Sequence, residues 1–531
     1  MNSKVNLPVR GLLFLLIILF TLPLVVVNAQ DKPDQDTIVI AIDSDPATLE
    51  PAQVSTRAGA NILSHVFLQL YEVGQADGSL VPYLVKDYST SADGLETTFT
   101  INEGVMCEDG SEMTAEDVAY SIKRVADPKN GFSGNSNFDL EASGYVDVKA
   151  VDKYKVTVIF KAPQDDKLRR GLLSEMYMHC KGPYEKMTLE EASQKPSGNG
   201  PYRVMEWVKD DHVTLERVDS FPLRKGNFKY IVWKVIPESS TRAAELIAGN
   251  VDLISNVTAE QIKPLNDSGV AKVQIVNGTN RFYVGFSQVP GLPFSDTPGG
   301  KAILDPKVRV ALQYAVDPPA ICENILGVAC DRMTGMVNKP NDNPDLKPYP
   351  YDPAKAEELL DAAGYPKDAN DVRFELTLQA RKRSGPGGSD VAQAIAQYLS
   401  DVGVKTEVQF LENAEFINQI TNHQAGPLFL LSTGGSVWSA QYDMADFPAP
   451  KATTNYIEYS NTEYFKLWDS LPFAKTAEES RAIELKMEEI FYNDPPWLML
   501  YQGPEVWGVS NRVDYQVRPD GQTIVYATKL K

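Results

Sequence analysis

The pattern of apolar and polar positions changes character along the chain. Gly11 to Val27 is almost wholly apolar, follows Lys4 and Arg10, and is followed by small residues at Val27-Asn28-Ala29. A basic start, an apolar run and a small-residue end are the marks of a secretory signal. The run is slightly short for a membrane span and is interrupted by Pro23, so residues 1–29 read as a cleaved signal rather than an anchor. No cysteine follows closely, so a lipid anchor is not expected. A short polar lead reaches Asp36. Thr37 to Ile42 then alternates with β-branched residues and predicts a strand.

Further on, Thr114-Ala115-Glu116-Asp117 forms a capping box ahead of Val118, Ile122 and Val125, which predicts a short helix with one buried face. Val148 to Phe160 predicts a hairpin turning near Asp152-Lys153. Asp211 to Val218 and Ile231 to Ile236 predict strands. Ser240 to Gly249 predicts a helix with a glycine cap, and Thr258 to Gln261 opens another. In the second half, Asp352-Pro353 supplies an N-cap and a first-turn proline, and Gly364 ends that helix. Strand Phe374–Leu378, helix Val391–Leu399, strand Lys405–Phe410, helix Ala414–Thr421 and strand Leu428–Leu431 follow in order. This alternation predicts a parallel sheet with right-handed crossovers, and such sheets bind ligands at the carboxyl ends of their strands. The proline- and glycine-rich stretches Gly285 to Gly300 and Asn338 to Pro353 read as connectors.

The chain has 531 residues and a net charge of −20; without Lys4 and Arg10, 49 basic residues face 71 acidic ones and the charge is −22. An acidic surface repels nucleic acid and anionic lipid, so neither is an expected partner. About 500 residues exceed a single hydrophobic core, so two or more lobes are expected. Four cysteines, Cys107, Cys180, Cys322 and Cys330, are consistent with disulfides in an exported chain. Cys322 and Cys330 are near enough to bridge locally, which would leave Cys107 for Cys180; the spacing alone does not fix the pairing, and free thiols are the alternative. A secreted hydrolase is the rival class. Against it, the chain has no G-x-S-x-G elbow, no H-E-x-x-H and no phosphate-binding loop. His65, His179, His212 and His423 show no metal-ligand spacing. No cofactor and no metal are expected.

Chemistry-bearing residues collect after the parallel strands. Arg381-Lys382-Arg383 follows one, and Gly434-Gly435-Ser436-Val437-Trp438 follows another. An arginine fork suits a carboxylate or phosphate, and Trp438 offers a flat apolar face. A solvated basic surface and a core tryptophan are the plain alternatives. The glycine- and amide-rich segment Asn130 to Asn137, with Phe132 inside it, reads as a flexible loop suited to a polar ligand or to no ligand.

Several segments, taken in order, resemble a known family. They include Ser44-Asp45-Pro46-Ala47-Thr48-Leu49-Glu50-Pro51, Leu80-Val81-Pro82-Tyr83-Leu84, Glu108-Asp109-Gly110 and Gly198-Asn199-Gly200-Pro201-Tyr202. Gly249-Asn250-Val251-Asp252, Tyr351-Asp352-Pro353-Ala354 and Asn493-Asp494-Pro495-Pro496 continue the series. The succession resembles the family 5 extracellular solute-binding proteins of ABC importers, the peptide, nickel and oligosaccharide type.

The resemblance implies an α/β fold: a two-lobed periplasmic-binding-protein-like clamshell (type II, class C) with mixed sheets and a hinge. It implies lobe I over residues 30–279 plus 502–531, with an inserted subdomain at about 75–200, and lobe II over residues 280–501. The implied role is capture of a small solute, peptide or peptide-like, and its delivery to a membrane permease. A sugar or metal-complex ligand is the alternative. The implied setting is periplasmic or extracellular, the implied state a monomer, and no catalysis is expected. In peptide-binding members the basic segment anchors the ligand carboxylate, which here falls on Arg381, Lys382 or Arg383. Those members also place an Asp three residues after a Trp, for the peptide ammonium. Here Trp438 is followed by Gln441, then Tyr442 and Asp443, so that charge is absent. Thr48, Phe132, Asn137 and Gly435 complete the expected ligand-facing set.

Overall fold

The computed structural model describes residues 33–74, 79–132, 134–163, 166–382, 388–434, 439–445, 447, 455–474 and 476–531. The expected signal, residues 1–29, lies outside them, as do Arg383, Gly435 and Trp438.

A ten-stranded mixed sheet is the backbone of the molecule. Its strand order is Tyr202–Val208, His212–Arg217, Tyr230–Val235, Thr37–Ile42, Leu253–Ile254, Trp497–Ser510, Ala271–Phe286, Leu428–Thr433, Phe374–Arg381 and Val404–Leu411. Thr37–Ile42 runs parallel to both its neighbours. Its period-2 alternation sends Ile38 and Ile40 into one core and Val39 and Ala41 into another, so both faces are buried. Phe374–Arg381 is parallel to Val404–Leu411 and to Leu428–Thr433, as the strand–helix alternation predicts.

The two longest strands, Ala271–Phe286 and Trp497–Ser510, join the halves of the sheet. At one end Leu253 pairs with Val509; at the other Arg281 pairs with Thr433. Their mutual register breaks in the middle, where Asn277 faces Pro504 but Arg281 faces Gln502. Three residues, 278 to 280, therefore oppose Gly503 alone, which makes a bulge that bends the ribbon. At 278 and 503 the fit requires glycine. A Cβ on Gly278 would lie 2.4 Å from the Gly503 carbonyl oxygen, and one on Gly503 would lie 2.5 Å from the Phe282 ring.

A separate four-stranded antiparallel sheet orders Val85–Thr90, Glu96–Ile101, Lys155–Phe160 and Tyr145–Ala150. Helix Ala115–Ala126 covers it, burying Val118, Ile122 and Val125 against Phe99 and Val156. Its capping box forms as the sequence predicts. Disulfides join Cys107 to Cys180 and Cys322 to Cys330. The second closes a separation of 8 residues. By loop-closure entropy its removal in a Cys322→Ser/Cys330→Ser variant should cost about 2.5 kcal/mol. A urea-unfolding midpoint checks this, and an unchanged midpoint would refute it.

One expected connector proves shorter, and one expected loop is broken by helical turns. Gly285 and Phe286 finish a strand and Pro298 opens helix Pro298–Leu304, so 287–297 alone is irregular. The Asn130–Asn137 segment is not one loop: Pro128–Asn130 forms a 3-10 turn, and helix Asn135–Ala142 begins inside it.

Candidate functional site

The carboxyl ends of the parallel strands meet the central ribbon. There Arg381, Ser432, Phe282 and Tyr501 border a small hollow, with Gly388 and Val391 of helix Gly388–Asp401 across from them. Phe282 and Tyr501 stack, with ring centroids 5.1 Å apart. Arg381 ends its strand, half-buried, with its guanidinium 5.8 Å from the Phe416 ring. Its Nη1 donates to Asn413 Oδ1 at 3.4 Å, while its Nε has no hydrogen-bond partner. Burial holds its pKa below that of a free guanidinium. Lys382 is instead exposed and paired with Glu412. Among the described residues, Arg381 has no carboxylate within ion-pair distance. A partly desolvated cation of this kind favours an anionic ligand group.

The structure also brings together the two first-half segments expected to face a ligand. Thr48 Oγ1 accepts from Glu50 N at 3.0 Å. Glu50 is fully buried and takes both terminal nitrogens of Arg124, at 2.6 and 3.1 Å. Phe132 lies over that guanidinium at 4.6 Å. Asn137 Nδ2 donates to Val125 O at 3.2 Å. Glu50 and Arg124 carry this junction, and the sequence reading missed both. A charged pair separated by 74 positions leaves no local signal.

Gln441, Tyr442 and Asp443 sit on the short helix Ala440–Met444. Tyr442 is half-buried, but the other two side chains turn inward. Gln441 donates to Ser480 Oγ at 2.9 Å and Glu484 Oε1 at 3.1 Å. Asp443 accepts from Asn338 N at 2.8 Å and pairs with Arg281 at 3.4 Å. Both are engaged within the protein, and a ligand contact from either would cost those bonds.

Among the further cavities of the first half, two differ widely in size. The larger, about 750 Å³, is an open groove between helix Ala115–Ala126 and residues 181–189, bordered by Tyr120, Lys123, Phe132, Tyr184 and Met187. The smaller, about 30 Å³, is bordered by Ser64, Gln69, Glu72, Glu175, Gln522 and Tyr526. Among the described residues, no group of three His, Cys, Asp or Glu is placed to hold a metal ion, and no helix is long and apolar enough to cross a membrane.

The family model for bacterial extracellular solute-binding proteins, family 5 (middle region), matches residues 79–455. The glutathione-binding protein GsiB of Pectobacterium atrosepticum is 27% identical over 495 residues, covering 91% of this chain and 92% of its own. Among solved structures, DppA from Helicobacter pylori in complex with the peptide STSA aligns with a TM-score of 0.78 at 20% identity, covering 93% of this chain and 98% of its own. NikA from Brucella suis in complex with Fe(III)-EDTA aligns with a TM-score of 0.81 at 18% identity, covering 93% of this chain and all of its own (100%). The fold is therefore the two-lobed α/β fold of periplasmic binding proteins. By the extent of the family match, this chain is a member of the family 5 bacterial extracellular solute-binding proteins.

Proposed function

We propose that the chain is the solute-capturing component of an ABC importer, and that its solute is a peptide or peptide-like molecule with an anionic end. The observation that carries the anionic end is Arg381: a half-buried cation at the strand-end rim, without a carboxylate partner among the described residues and beside the Phe282–Tyr501 stack. The likeness to a glutathione-binding protein and to a peptide-complexed DppA supports the peptide class. Lobe I comprises residues 30–279 plus 502–531, with the insertion at about 75–200, and lobe II comprises residues 280–501. The bulge at 278–280 opposite Gly503 serves as the hinge, and closure over the solute presents the surface that the permease reads. The protein acts as a monomer outside the cytoplasm after loss of residues 1–29. Two disulfides suit that oxidising setting.

Titration calorimetry with short peptides tests the reading. Peptides with a free carboxyl terminus should bind, and their C-terminal amides should bind at least about tenfold more weakly, the scale of a lost charge-assisted pair. Arg381→Gln should erase that difference without lowering the melting temperature. Equal binding of acid and amide would sink the role of Arg381. Binding of metal chelates or oligosaccharides alone would sink the peptide class.

A further inference from the structure

The bend of the central ribbon is held from both sides at one residue. Thr279, 6% exposed, lies in the bulge at 278–280. Its N–H donates to Pro519 O at 3.0 Å, and its carbonyl accepts from Asn338 Nδ2 at 2.9 Å. The two partners are fixed in different halves. Beside Pro519, Arg518 bonds the Val73 carbonyl, and Arg57 bonds the Asp520 carbonyl. Asn338 N–H donates to Asp443 Oδ2 at 2.8 Å, and just ahead of it Met333 N–H donates to Leu500 O and Met336 O accepts from Arg281. The φ and ψ bonds of Thr279 lie between its two hydrogen-bonded peptide groups. Turning one half against the other about those bonds therefore loads one clamp or the other.

The clamps are unequal. Pro519 offers a main-chain oxygen, whereas Asn338 offers a side chain with a second acceptor in reach. The same amino group lies 3.3 Å from Asp443 Oδ1, so loss of the Thr279 carbonyl does not strand it. Two acceptors on one side also fix which way the amide points. Its Oδ1 is buried and has no hydrogen-bond partner among the described residues. The present arrangement thus leaves the amide under-satisfied, which lowers its advantage over a turned one. Strand Leu428–Thr433 ends against the same carbonyl: a Cβ on Gly434 would lie 2.6 Å from Thr279 O and 2.8 Å from Asn280 Cα.

We infer that Asn338 is a positioning residue for lobe closure. Its amide clamps the Thr279 carbonyl in the form seen here, keeps Asp443 alone as the hinge turns, and so sets the balance of open and closed forms. The inference rests on the hinge at 278–280 read above and adds the residue that governs it. It does not depend on the class of solute.

Double electron–electron resonance between spin labels on Lys209→Cys and Glu407→Cys tests this. Both positions are exposed and lie towards opposite edges of the ten-stranded sheet. The four native cysteines are bonded in pairs, so only the introduced thiols take label. Without ligand, Asn338→Ala should shift the ratio of distance populations about fivefold away from the form seen here, the scale of one net hydrogen bond. Gln502→Ala removes a bond to the neighbouring Gly278 carbonyl at 3.1 Å but leaves the clamp, so its ratio should match wild type. A merely structural role for the bulge would move both variants alike. Gly434→Ala keeps Asn338 but crowds the Thr279 carbonyl off it. It should shift the ratio in the same sense, and it decides the matter if Asn338→Ala does not fold. Wild-type ratios in Asn338→Ala and Gly434→Ala, or equal shifts in Asn338→Ala and Gln502→Ala, overturn the inference. A tripeptide library added to wild type separates the two readings. If Asn338→Ala shifts the ratio and the library does not, the clamp stands and the peptide reading falls. If the library shifts it and neither Asn338→Ala nor Gly434→Ala does, the peptide reading stands and the clamp falls.

Discussion

Replacing Asp443 by alanine should destabilise the protein by about 3–5 kcal/mol, the cost of stranding one partner of a buried ion pair. Arg281 and Asp443 are 1% and 2% exposed. Arg281 Nη1 donates to the carbonyls of Met336 and Asp443, and its Nη2 faces Asp443 Oδ1 at 3.4 Å. The carboxylate also takes the backbone N–H of Asn338. Alanine takes a counter-charge from a buried guanidinium and the side-chain acceptor from the buried Asn338 N–H. Asp443→Asn keeps acceptor and shape and should fall between alanine and wild type. Arg281→Met with Asp443→Leu removes both charges and should recover much of the loss. Urea-unfolding midpoints measure all three. A cost under about 1 kcal/mol for alanine would show that the pair carries little.

Acid should unfold the protein through two buried histidines. The ring of His65 is fully buried; Nδ1–H donates to Asn61 O and Nε2 accepts from Val525 N. Burial lowers its pKa from 6.5 to about 4. His179, packed on Tyr184 and near Arg124, is lowered by burial and by that charge to about 3. The folded state keeps both rings neutral, while the unfolded chain protonates them first. Their contribution is therefore complete above pH 6.5 and is lost as pH falls towards 4 and 3. For His65 this is on the order of 3 kcal/mol. Glu488 acts in the other direction. Burial pushes its pKa from 4.5 up to about 8, so its contribution is present below pH 4.5 and is lost as pH rises to 8. Melting temperature against pH should fall on both sides. His65→Gln should flatten the acid limb, and Glu488→Gln the alkaline one. Parallel profiles for variant and wild type would refute the assignment.

Local patterns carried the information wherever the sequence was legible. The N-caps at Thr114 and Asp352 and the glycine after Ala248 marked helix ends from within a few residues. The parallel sheet of the second half was legible from its strand–helix alternation, with apolar residues such as Phe374, Leu376 and Leu378 marking the buried face of a strand. The long strand Ala271–Phe286 was missed: Val273, Gln274, Ile275, Val276, Asn277 and Gly278 mix polar and apolar residues, since its exposure changes along its length. At the candidate site, Arg381 was legible because a strand end fixes its place. Gln441 and Asp443 were not, because what buries them is remote. Ser480 and Glu484 follow Gln441 by 39 and 43 positions, and Arg281 precedes Asp443 by 162. The neighbours that pair a buried polar residue are set by tertiary packing, and no local window contains them.

The placement of Trp497–Ser510 between strands of the two halves has a consequence for synthesis. Ile38, Ile40 and Trp233 emerge early from the ribosome, yet they share a core with Trp507, Val509, Val525 and Tyr526. Leu253 and Ile254 likewise wait for Val509 and Gly508 to complete their pairing. The first half is thus left with an open seam through more than two hundred further residues, roughly ten seconds or more at usual elongation rates. The polypeptide stays pliable until its final stretch arrives, and that stretch, by filling the seam, sets the order in which the halves become native.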